Sequence, residues 1–363
     1  MTSFAAARTT RSWRLNAICG ALVAETEPLP EPKGREVLMR VSHCGVCHSD
    51  LHIREGIYNL GAGKTLDLTQ RGINPPLTLG HEIFGTVEAV GPEVTEVKPG
   101  MRRLIHTWIG CGTCALCRSG DENLCAAPRF LGVQARGGFA DHVLVSDARF
   151  LVDVGDLDPA VAATYACSGV TVHSAVKKIL PHREGERVAV FGCGGLGQTA
   201  LHLLKALGVG PVIAVDPAPE KRAIAEEIGA AASLDPNAPD AAKQLAAFGK
   251  GSLAAALDFV GSEQTSSLGI NGVRKGGTYV VVGLFGGELR YPLPYLPMRA
   301  VTIRGSYVGS LNELKEFVAL ARKVNLPPVT IERRPMTAVN AALEDLAAGR
   351  VAGRVVLEAE AAG

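Results

Sequence analysis

The sequence feature that most restricts the fold is a glycine-rich turn at residues 192–197, directly after an unbroken apolar run at 188–191. Such a run is typical of a strand buried on both faces of a parallel sheet. The turn fits G-x-G-x-x-G and consists of Gly192, Cys193, Gly194, Gly195, Leu196 and Gly197. The first glycine permits a tight turn, the second lets a pyrophosphate approach the backbone, and the third lets helix and strand pack closely. This context predicts a dinucleotide site at the N-terminus of the next helix.

Asp216 extends the prediction to the kind of dinucleotide. It stands 19 positions after Gly197, at the end of the next apolar run. An aspartate there accepts hydrogen bonds from the ribose hydroxyls and repels a 2′-phosphate, which favours NAD over NADP. Asp216 could instead be the N-cap of the helix that follows it, directly before Pro217, but this role would not explain its spacing from the glycine turn. Lys221, a candidate cofactor contact, and the neighbouring Arg222 keep an NADP alternative open.

The surrounding pattern predicts two domains, as does a length of 363 residues. Apolar runs at 188–191, 212–215, 257–260 and 278–282 alternate with helical patterns at 196–207 and 219–228. Alternation of this kind predicts a doubly wound α/β domain with a parallel sheet. Before residue 165, short β-like runs at 36–41, 83–90 and 141–145 predict an irregular, mainly-β or α+β domain. A helix at 311–324 and a strand at 354–357 follow, and the Ala-rich stretch 238–247 is the one low-complexity candidate for a linker.

Composition excludes several classes of protein. Lys plus Arg number 37 and Asp plus Glu number 36, giving a net charge of +1, and aromatic residues make up 5%. A neutral, aromatic-poor chain has no electrostatic or stacking surface for nucleic acid or an anionic membrane, and we expect neither partner. No apolar stretch is long enough to span a bilayer.

The N-terminal segment has two interpretations. Arg8, Arg11 and Arg14 precede a short apolar run at 17–24, an arrangement that resembles a secretory signal. Because the run is brief and leads into several glutamates, we favour a first β-strand there behind a loose tail, and a cytoplasmic location.

Nine cysteines indicate metal binding more than disulfides in a chain of this size. Cys111, Cys114, Cys117 and Cys125 can close a tetrahedral thiolate shell around Zn²⁺ and leave no position for water, which is the pattern of a structural site. An iron–sulfur cluster is the competing interpretation of the same four residues.

A second ligand set would come from distant segments: Cys47 within 45–50, His81 within 80–82, and Cys167 just before the nucleotide domain. Each has an ordinary alternative as a small or satisfied core residue. Together with the four-cysteine lobe and the turn with Asp216, these motifs resemble, in the same order, the zinc-dependent medium-chain alcohol dehydrogenases. The resemblance runs from about residue 13 to 357.

The resemblance implies that Cys47, His81 and Cys167 hold a catalytic zinc whose fourth position stays open to water or substrate oxygen. With the lobe, this makes two Zn²⁺ per chain and NAD as the cofactors. Asp50 would orient the ligating histidine. Glu82 would lie behind the metal and approach it during ligand exchange.

The remaining implied roles concern the proton path and the cofactor. Ser49 would bond the alcohol oxygen, and His52 would be the outer member of a relay that runs through the cofactor ribose. His48 and Arg354 would contact the pyrophosphate, and Thr171 the nicotinamide side. Cys44 and Cys193 would be spare small residues.

The implied architecture is α/β: a mainly-β, GroES-like catalytic domain (1–168 and 308–363) and a doubly wound, parallel-sheet Rossmann NAD domain (169–307). The site lies in the cleft between the two domains. A homodimer or homotetramer is expected, with the apolar segment 291–298 as the interface. The expected substrate partner is a small alcohol, aldehyde or ketone.

Two features depart from the family or leave its details open. The connection from Cys47 to His81 spans 34 positions, longer than usual, and we predict that its extra stretch at 58–76 forms a lid or pocket wall. A surface insertion without catalytic effect is the alternative. Trp108 is either a pocket residue or packing at the base of the lobe.

Several functions remain in competition at this point. The main prediction is an NAD-dependent dehydrogenase of primary or secondary alcohols, and the nearest rival is an NADPH-dependent aldehyde or ketone reductase. Leu51, Trp108 and Leu284 argue mildly against a polyol dehydrogenase. A zinc-ribbon nucleic-acid module is the remote alternative.

Overall fold

The computed structural model describes residues 8–360, which form a mainly-β part and a doubly wound α/β part. The strands are β1 (Thr9–Leu15), β2 (Leu22–Pro28), β3 (Val37–Val46), β4 (Ile57–Gly61), β5 (Lys64–Asp67), β6 (Leu77–Thr78), β7 (Glu82–Val90), β8 (Arg102–Ile105), β9 (His142–Val145), β10 (Leu151–Val152), β11 (Arg187–Phe191), β12 (Val212–Val215), β13 (Ala232–Leu234), β14 (Leu253–Asp258), β15 (Thr278–Val281), β16 (Thr302–Gly305), β17 (Ile331–Pro335) and β18 (Arg354–Glu358).

The α-helices are α1 (His48–Glu55), α2 (Ala115–Ser119), α3 (Pro159–Thr164), α4 (Val170–Lys177), α5 (Gly195–Ala206), α6 (Pro219–Ile228), α7 (Ala241–Gly249), α8 (Glu263–Gly272), α9 (Tyr295–Arg299), α10 (Leu311–Lys323) and α11 (Val339–Ala347). A π-helical turn, Tyr165–Gly169, joins α3 to α4. No helix in the described part of the chain has the length and apolar character needed to cross a bilayer.

The mainly-β part is built from both ends of the chain. Its largest sheet has the order β10-β8-β7-β3-β18-β17, with β9 also paired to β3, so the C-terminal strand β18 lies beside the N-terminal strand β3. A smaller sheet, β2-β1-β6, packs against it, and β4 and β5 form a separate hairpin. The central strand β3 is buried over most of its length, and it ends at Val46, directly before helix α1.

The α/β part confirms the doubly wound prediction. Its six strands are parallel in the order β13-β12-β11-β14-β15-β16, the classical order of a dinucleotide-binding sheet. Strand β11 is central and its apolar residues are fully buried, as the unbroken run predicts. The sheet order reverses between β11 and β14, and ligands bind at such a reversal, beyond the carboxyl ends of the strands.

The structure corrects the prediction for the N-terminal run. The run at 17–24 is not a first strand: residues 16–21 form the turn between β1 and β2, in which Cys19 has a left-handed φ of 61°, and residues 22–24 begin the second strand, β2. The first strand lies earlier, and Arg11 and Arg14 belong to it, where Arg14 pairs with Glu25 across the hairpin. The tail expected before this strand falls at residues 1–7, outside the described residues.

Other local predictions also changed. The Ala-rich stretch 238–247 is not a linker, because most of it forms helix α7, which buries Ala241 and Leu245. Helix α11 and strand β17 were not predicted, since their apolar positions are short and interrupted. The helix predicted at 311–324 is α10, capped by Ser310 and Glu313 in a reciprocal capping box.

Candidate active site

Three distant segments converge at one buried point. Cys47 is the N-cap residue of α1, His81 directly precedes β7, and Cys167 lies in the π-helical turn. The sulfur atoms of Cys47 and Cys167 are 4.0 Å apart, and the ligand atoms of these two residues, His81 and Glu82 all lie within 4.8 Å of one another. The structure therefore brings the three predicted ligands together, with Glu82 beside them.

The carboxylate of Asp50 contacts the residues of this cluster. Its carboxylate accepts hydrogen bonds from the backbone N–H of Cys47 at 2.9 Å and of Gly80 at 3.1 Å, and lies 3.3 Å from Nδ1 of His81. All these groups are buried. One carboxylate thus fixes the backbone beside two candidate ligands and faces one ring nitrogen of His81, so that Nε2 is turned toward the thiols.

Glu82 is tied to the cofactor side of the cleft. One of its oxygens, Oε1, accepts a hydrogen bond from the Arg354 guanidinium, and both side chains are buried. The other oxygen, Oε2, is buried without a hydrogen-bond partner. A Cβ at position 45 would collide with this carboxylate, which accounts for Gly45. Burial raises the pKa of Glu82 to about 7.

The donor set fits Zn²⁺. Nε2 of His81 is buried and unpartnered, which is costly unless a ligand binds it. The Cys47 and Cys167 thiols are hydrogen-bonded to each other, and this interaction holds the pKa of Cys47 well below its usual value. Two thiols and one imidazole are typical zinc donors, and tetrahedral Zn–S bonds place sulfurs about 3.8 Å apart.

The four-cysteine lobe also fits a metal. The four ligand atoms lie within 4.8 Å of one another, and the sulfur pairs Cys111–Cys117 and Cys114–Cys125 are each 3.9 Å apart. Backbone N–H groups point at the sulfurs, as from Cys114 to Cys111 at 3.4 Å and from Cys117 to Cys114 at 3.4 Å. Hydrogen bonds stabilise thiolates, and those from the Thr113 hydroxyl and then the Thr113 N–H are the main causes that lower the pKa of Cys111 to about 5.

The glycine turn has the geometry that a dinucleotide requires. Gly192 has a φ of +85°, Gly194 has open space where a Cβ would point, and a Cβ on Gly197 would collide with the carbonyl of Gly192. The N-terminus of α5 has no side-chain cap, so its N–H groups remain free for an anion. The Asp216 carboxylate accepts a hydrogen bond from Cys193 N at 2.8 Å, which places it at this turn.

Asp216 does not cap the following helix, whose N-cap residue is Ala218 without a side-chain cap bond. Its second oxygen accepts from Ala218 N at 2.9 Å in a local turn. Arg222 donates to the carbonyls of Asp216 and Pro217, so its guanidinium is already engaged beside the site.

Basic side chains surround the turn. The aliphatic part of Arg354 lies directly over Gly195, where a Cβ would collide with it. His48 lies at the start of α1, where partial desolvation lowers its pKa and the nearby charges of Arg354, His52 and Lys221 lower it further. The predicted pyrophosphate contacts and Lys221 therefore face the same region.

The predicted relay and nicotinamide residues lie around the same cleft. Ser49 and His52 are half-buried on α1, and no hydrogen bond joins them in the described structure. Burial lowers the pKa of His52, which keeps the imidazole neutral near pH 7. The Thr171 hydroxyl is buried at the start of α4 and has no hydrogen-bond partner.

Aromatic residues complete the cleft, and two of them were not predicted. Trp108 is buried with its ring 5.4 Å from that of His81, and its indole N–H donates to the Ala166 carbonyl, so it packs at the metal cluster. The Tyr58 ring lies 4.9 Å from His52. Tyr307 lies 6.3 Å from Trp108. Few aromatics occur in this sequence, and the position of Tyr307 beside the predicted domain boundary was the available signal.

The longer connection between Cys47 and His81 contains the β4–β5 hairpin. This hairpin contacts the loop after β15: a Cβ on Gly286 would collide with the Asn59 carbonyl, and a Cβ on Gly61 would lie 2.8 Å from the Gly287 carbonyl carbon. The contact is backbone against backbone, and it joins the mainly-β part to the α/β part across the cleft.

Comparisons with known proteins agree with this geometry. Residues 33–156 match the family model of the alcohol dehydrogenase GroES-like domain, and residues 195–323 match that of the zinc-binding dehydrogenases. A curated relative, the NAD-dependent alcohol dehydrogenase of Sulfurisphaera tokodaii, is 34% identical over 96% of this chain and 99% of its own.

Solved structures give the same result. The alcohol dehydrogenase of Aeropyrum pernix superposes with a TM-score of 0.86 at 32% identity, covering 96% of this chain and 99% of its own. Acetophenone reductase from Geotrichum candidum, solved in complex with NAD, has a TM-score of 0.82 at 28% identity and covers 96% and 97% of the two chains. The chain belongs to the zinc-dependent medium-chain alcohol dehydrogenase family.

Proposed function

We propose that the protein is an NAD-dependent zinc alcohol dehydrogenase that interconverts a primary or secondary alcohol and the corresponding aldehyde or ketone. The single observation that carries this proposal is the buried convergence of Cys47, His81 and Cys167 beside the glycine turn. Zn²⁺ bound there would supply Lewis acidity to the substrate oxygen. NAD bound at the turn would supply the hydride acceptor.

The chain's own residues bind, orient and move protons. Asp50 holds the Cys47 and Gly80 backbone and keeps His81 in one orientation. The Ser49 hydroxyl accepts the alcohol proton and His52, neutral near pH 7, passes it toward water. No direct hydrogen bond joins the two side chains in the described structure, so bound NAD would supply the bridging hydroxyl through its ribose.

The cofactor preference follows from charge. The Asp216 carboxylate at the turn repels a 2′-phosphate, and Arg222 is occupied by backbone carbonyls. His48, Lys221 and Arg354 supply positive charge for the pyrophosphate, and the Thr171 hydroxyl is free for the nicotinamide side. We therefore place NAD above NADP, with an NADPH-dependent carbonyl reductase as the second candidate.

The decisive experiment is a substrate panel with zinc counted in the same preparation. Rates are measured with NAD and NADP for primary, secondary and polyhydric alcohols, and with NADH and NADPH for aldehydes and ketones. Two Zn²⁺ per chain and higher kcat/KM with NAD are expected. Preference for NADPH would select the reductase, and no turnover with any alcohol or carbonyl substrate would overturn the proposal.

We also propose that the β4–β5 hairpin is a wall of the substrate cleft. Its contacts with the loop at 286–288 and the place of Tyr58 beside His52 support this role. Deleting residues 60–72 is expected to change the relative rates across the alcohol panel. Unchanged relative rates in a folded deletion variant would show that the hairpin is a surface insertion.

The assembly and location remain proposals as well. Strand β16 is the exposed edge of the α/β sheet, and Leu293 and Met298 nearby are 76% and 64% exposed. An open strand edge beside apolar side chains favours pairing with a second copy, so we propose a homodimer or homotetramer. Light scattering of Leu293→Glu and Met298→Glu variants tests it, with dissociation expected.

All nine cysteines, which lie within residues 8–360, are free of disulfides, in keeping with the proposed cytoplasmic location.

We place the domain boundaries at 168/169 and 307/308. The first falls in the π-helical turn that carries Cys167, and the second falls between Tyr307 and Val308. Both points where the chain passes between the domains therefore border the proposed site. A movement of one domain relative to the other would change the geometry of that site. Limited proteolysis with and without NAD tests these boundaries.

A further inference from the structure

A side chain of the four-cysteine lobe is bonded to the backbone beside the cleft. Asn123 lies between Cys117 and Cys125 in a short 3-10 helix and is only 8% exposed. Its amide Nδ2 donates to the backbone carbonyl of Tyr307 at 2.9 Å. The lobe is held independently by an ion pair of 2.7 Å between buried Glu122 and Arg149, so Asn123 is not needed to attach it.

The backbone that Asn123 holds is strained. Val308 has a φ of +41°, a left-handed conformation that is unfavourable for a β-branched residue. The Tyr307 carbonyl belongs to the peptide plane that joins Tyr307 to Val308. Fixing that plane therefore restricts the φ of Val308. Strained residues of this kind persist only when their surroundings hold them in place.

The strained segment touches the proposed site on two sides. The Tyr307 ring lies 6.3 Å from that of Trp108, which in turn lies 5.4 Å from the ring of His81. Gly309 packs on Val170, because a Cβ there would lie 3.0 Å from the Val170 carbonyl oxygen. Val170 directly precedes Thr171, the proposed nicotinamide contact.

We propose that Asn123 is a positioning residue for hydride transfer. It fixes the strained Tyr307–Val308 peptide, and this in turn fixes the position of residues 167–171, which form one side of the cleft. The lobe thereby acts on the active site in addition to stabilising the fold. This inference rests on the active-site assignment proposed above. Reacting atoms must be placed closely for hydride transfer, so a small shift of this wall slows turnover.

The test is a double-mutant cycle of Asn123→Ala and Val308→Gly with a matched control. Asn123→Ala is expected to lower kcat about tenfold with both zinc ions retained. Glycine adopts a left-handed φ without strain, so in the Val308→Gly background the same change should cost less than about threefold. The control is Asn340→Ala, which removes a 2.9 Å bond from its amide to the Leu22 carbonyl and a second 2.9 Å bond from the Leu22 N–H to its amide oxygen. It should leave kcat within about twofold.

Three results would overturn the inference: an unchanged kcat in Asn123→Ala, a loss of zinc that accompanies the loss of kcat, or equal losses in both backgrounds. If the alanine variant does not fold, Asn123→Asp, which keeps the shape but cannot donate, is measured in the same cycle. Cys47→Ala serves as the reference in the same assay. Its retention of turnover would reject the site assignment itself, whereas an inactive Cys47→Ala beside a fully active Asn123→Ala would reject this inference alone.

Discussion

The two cysteine-containing clusters reach similar geometry by different routes. In the lobe, four sulfurs come from one segment at 111–125 and are stabilised by backbone N–H groups of that segment. In the cleft, the donors come from three distant segments, all are buried, and their supports are charged side chains, Asp50 and the Glu82–Arg354 pair. The lobe is a local structure, while the cleft cluster exists only if both parts of the molecule fold.

The difference explains which cluster suits catalysis. Four thiolates complete a tetrahedral shell, so the lobe has no position left for a substrate. The cleft cluster has two thiols and one imidazole, with the carboxylate of Glu82 held back by Arg354. The cleft cluster therefore leaves one coordination position open for a substrate oxygen, next to the turn that would bind the dinucleotide. The two clusters should respond differently when a ligand is removed.

The largest effect is expected from Cys47→Ala. Removing one thiolate from the cleft cluster should lower kcat by at least about 10³-fold, since several kcal/mol of charge stabilisation are lost. The lobe should keep its ion, so metal analysis should find one zinc per chain, and the variant should remain folded. Near-normal turnover would show that the ligand assignment is wrong.

Next comes the buried ion pair. Arg354→Met leaves the Glu82 carboxylate buried without its partner, which should reduce the free energy of unfolding by about 3–5 kcal/mol and raise the KM for NAD. Urea unfolding and steady-state kinetics measure the two effects. The double variant Glu82→Gln/Arg354→Met should be the more stable of the two. A less stable double variant would contradict the proposed coupling.

The lobe variant Cys114→Ser should show the opposite pattern to Cys47→Ala. It should lose the lobe zinc and about 3 kcal/mol of stability, seen as a fall in Tm of about 4 °C. At a temperature where the variant is folded, residual activity should be measurable because the cleft donors are untouched. Complete inactivity with the cleft zinc still bound would show that the two clusters are not separable in this way.

The smallest effect concerns pH and a histidine that neither cluster uses. His106 is fully buried with both ring nitrogens unpartnered, and burial lowers its pKa to about 3. The unfolded chain therefore binds the proton first, so stability is complete above pH 6.5 and falls below it. Between pH 6.5 and 5 the loss should be about 2 kcal/mol. In His106→Leu this acid-dependent loss should disappear, and an identical pH profile for the two proteins would refute the assignment.

Much of this protein follows from the sequence alone, because the relevant signals are local. The run at 188–191 with its glycine turn specified strand β11, the turn and helix α5, and Asp216 fell at the predicted place. The lobe could be predicted for the same reason, since four ligands in one short segment need no long-range information. Local pattern failed at 17–24, where an apolar run proved to be a turn and the start of β2.

Only the tertiary structure decided which distant residues meet. Cys47, His81 and Cys167 each have ordinary roles when considered singly, and no spacing rule brings them together. The pairing of β3 with β7 places Cys47 beside His81, and the packing of the π-helical turn against β7 adds Cys167. The Glu82–Arg354 pair, the hairpin against Gly286 and the Asn123 bond to Tyr307 are likewise long-range contacts. Hydrophobic periodicity reports how each segment buries its own face, and carries no information about the partner segment.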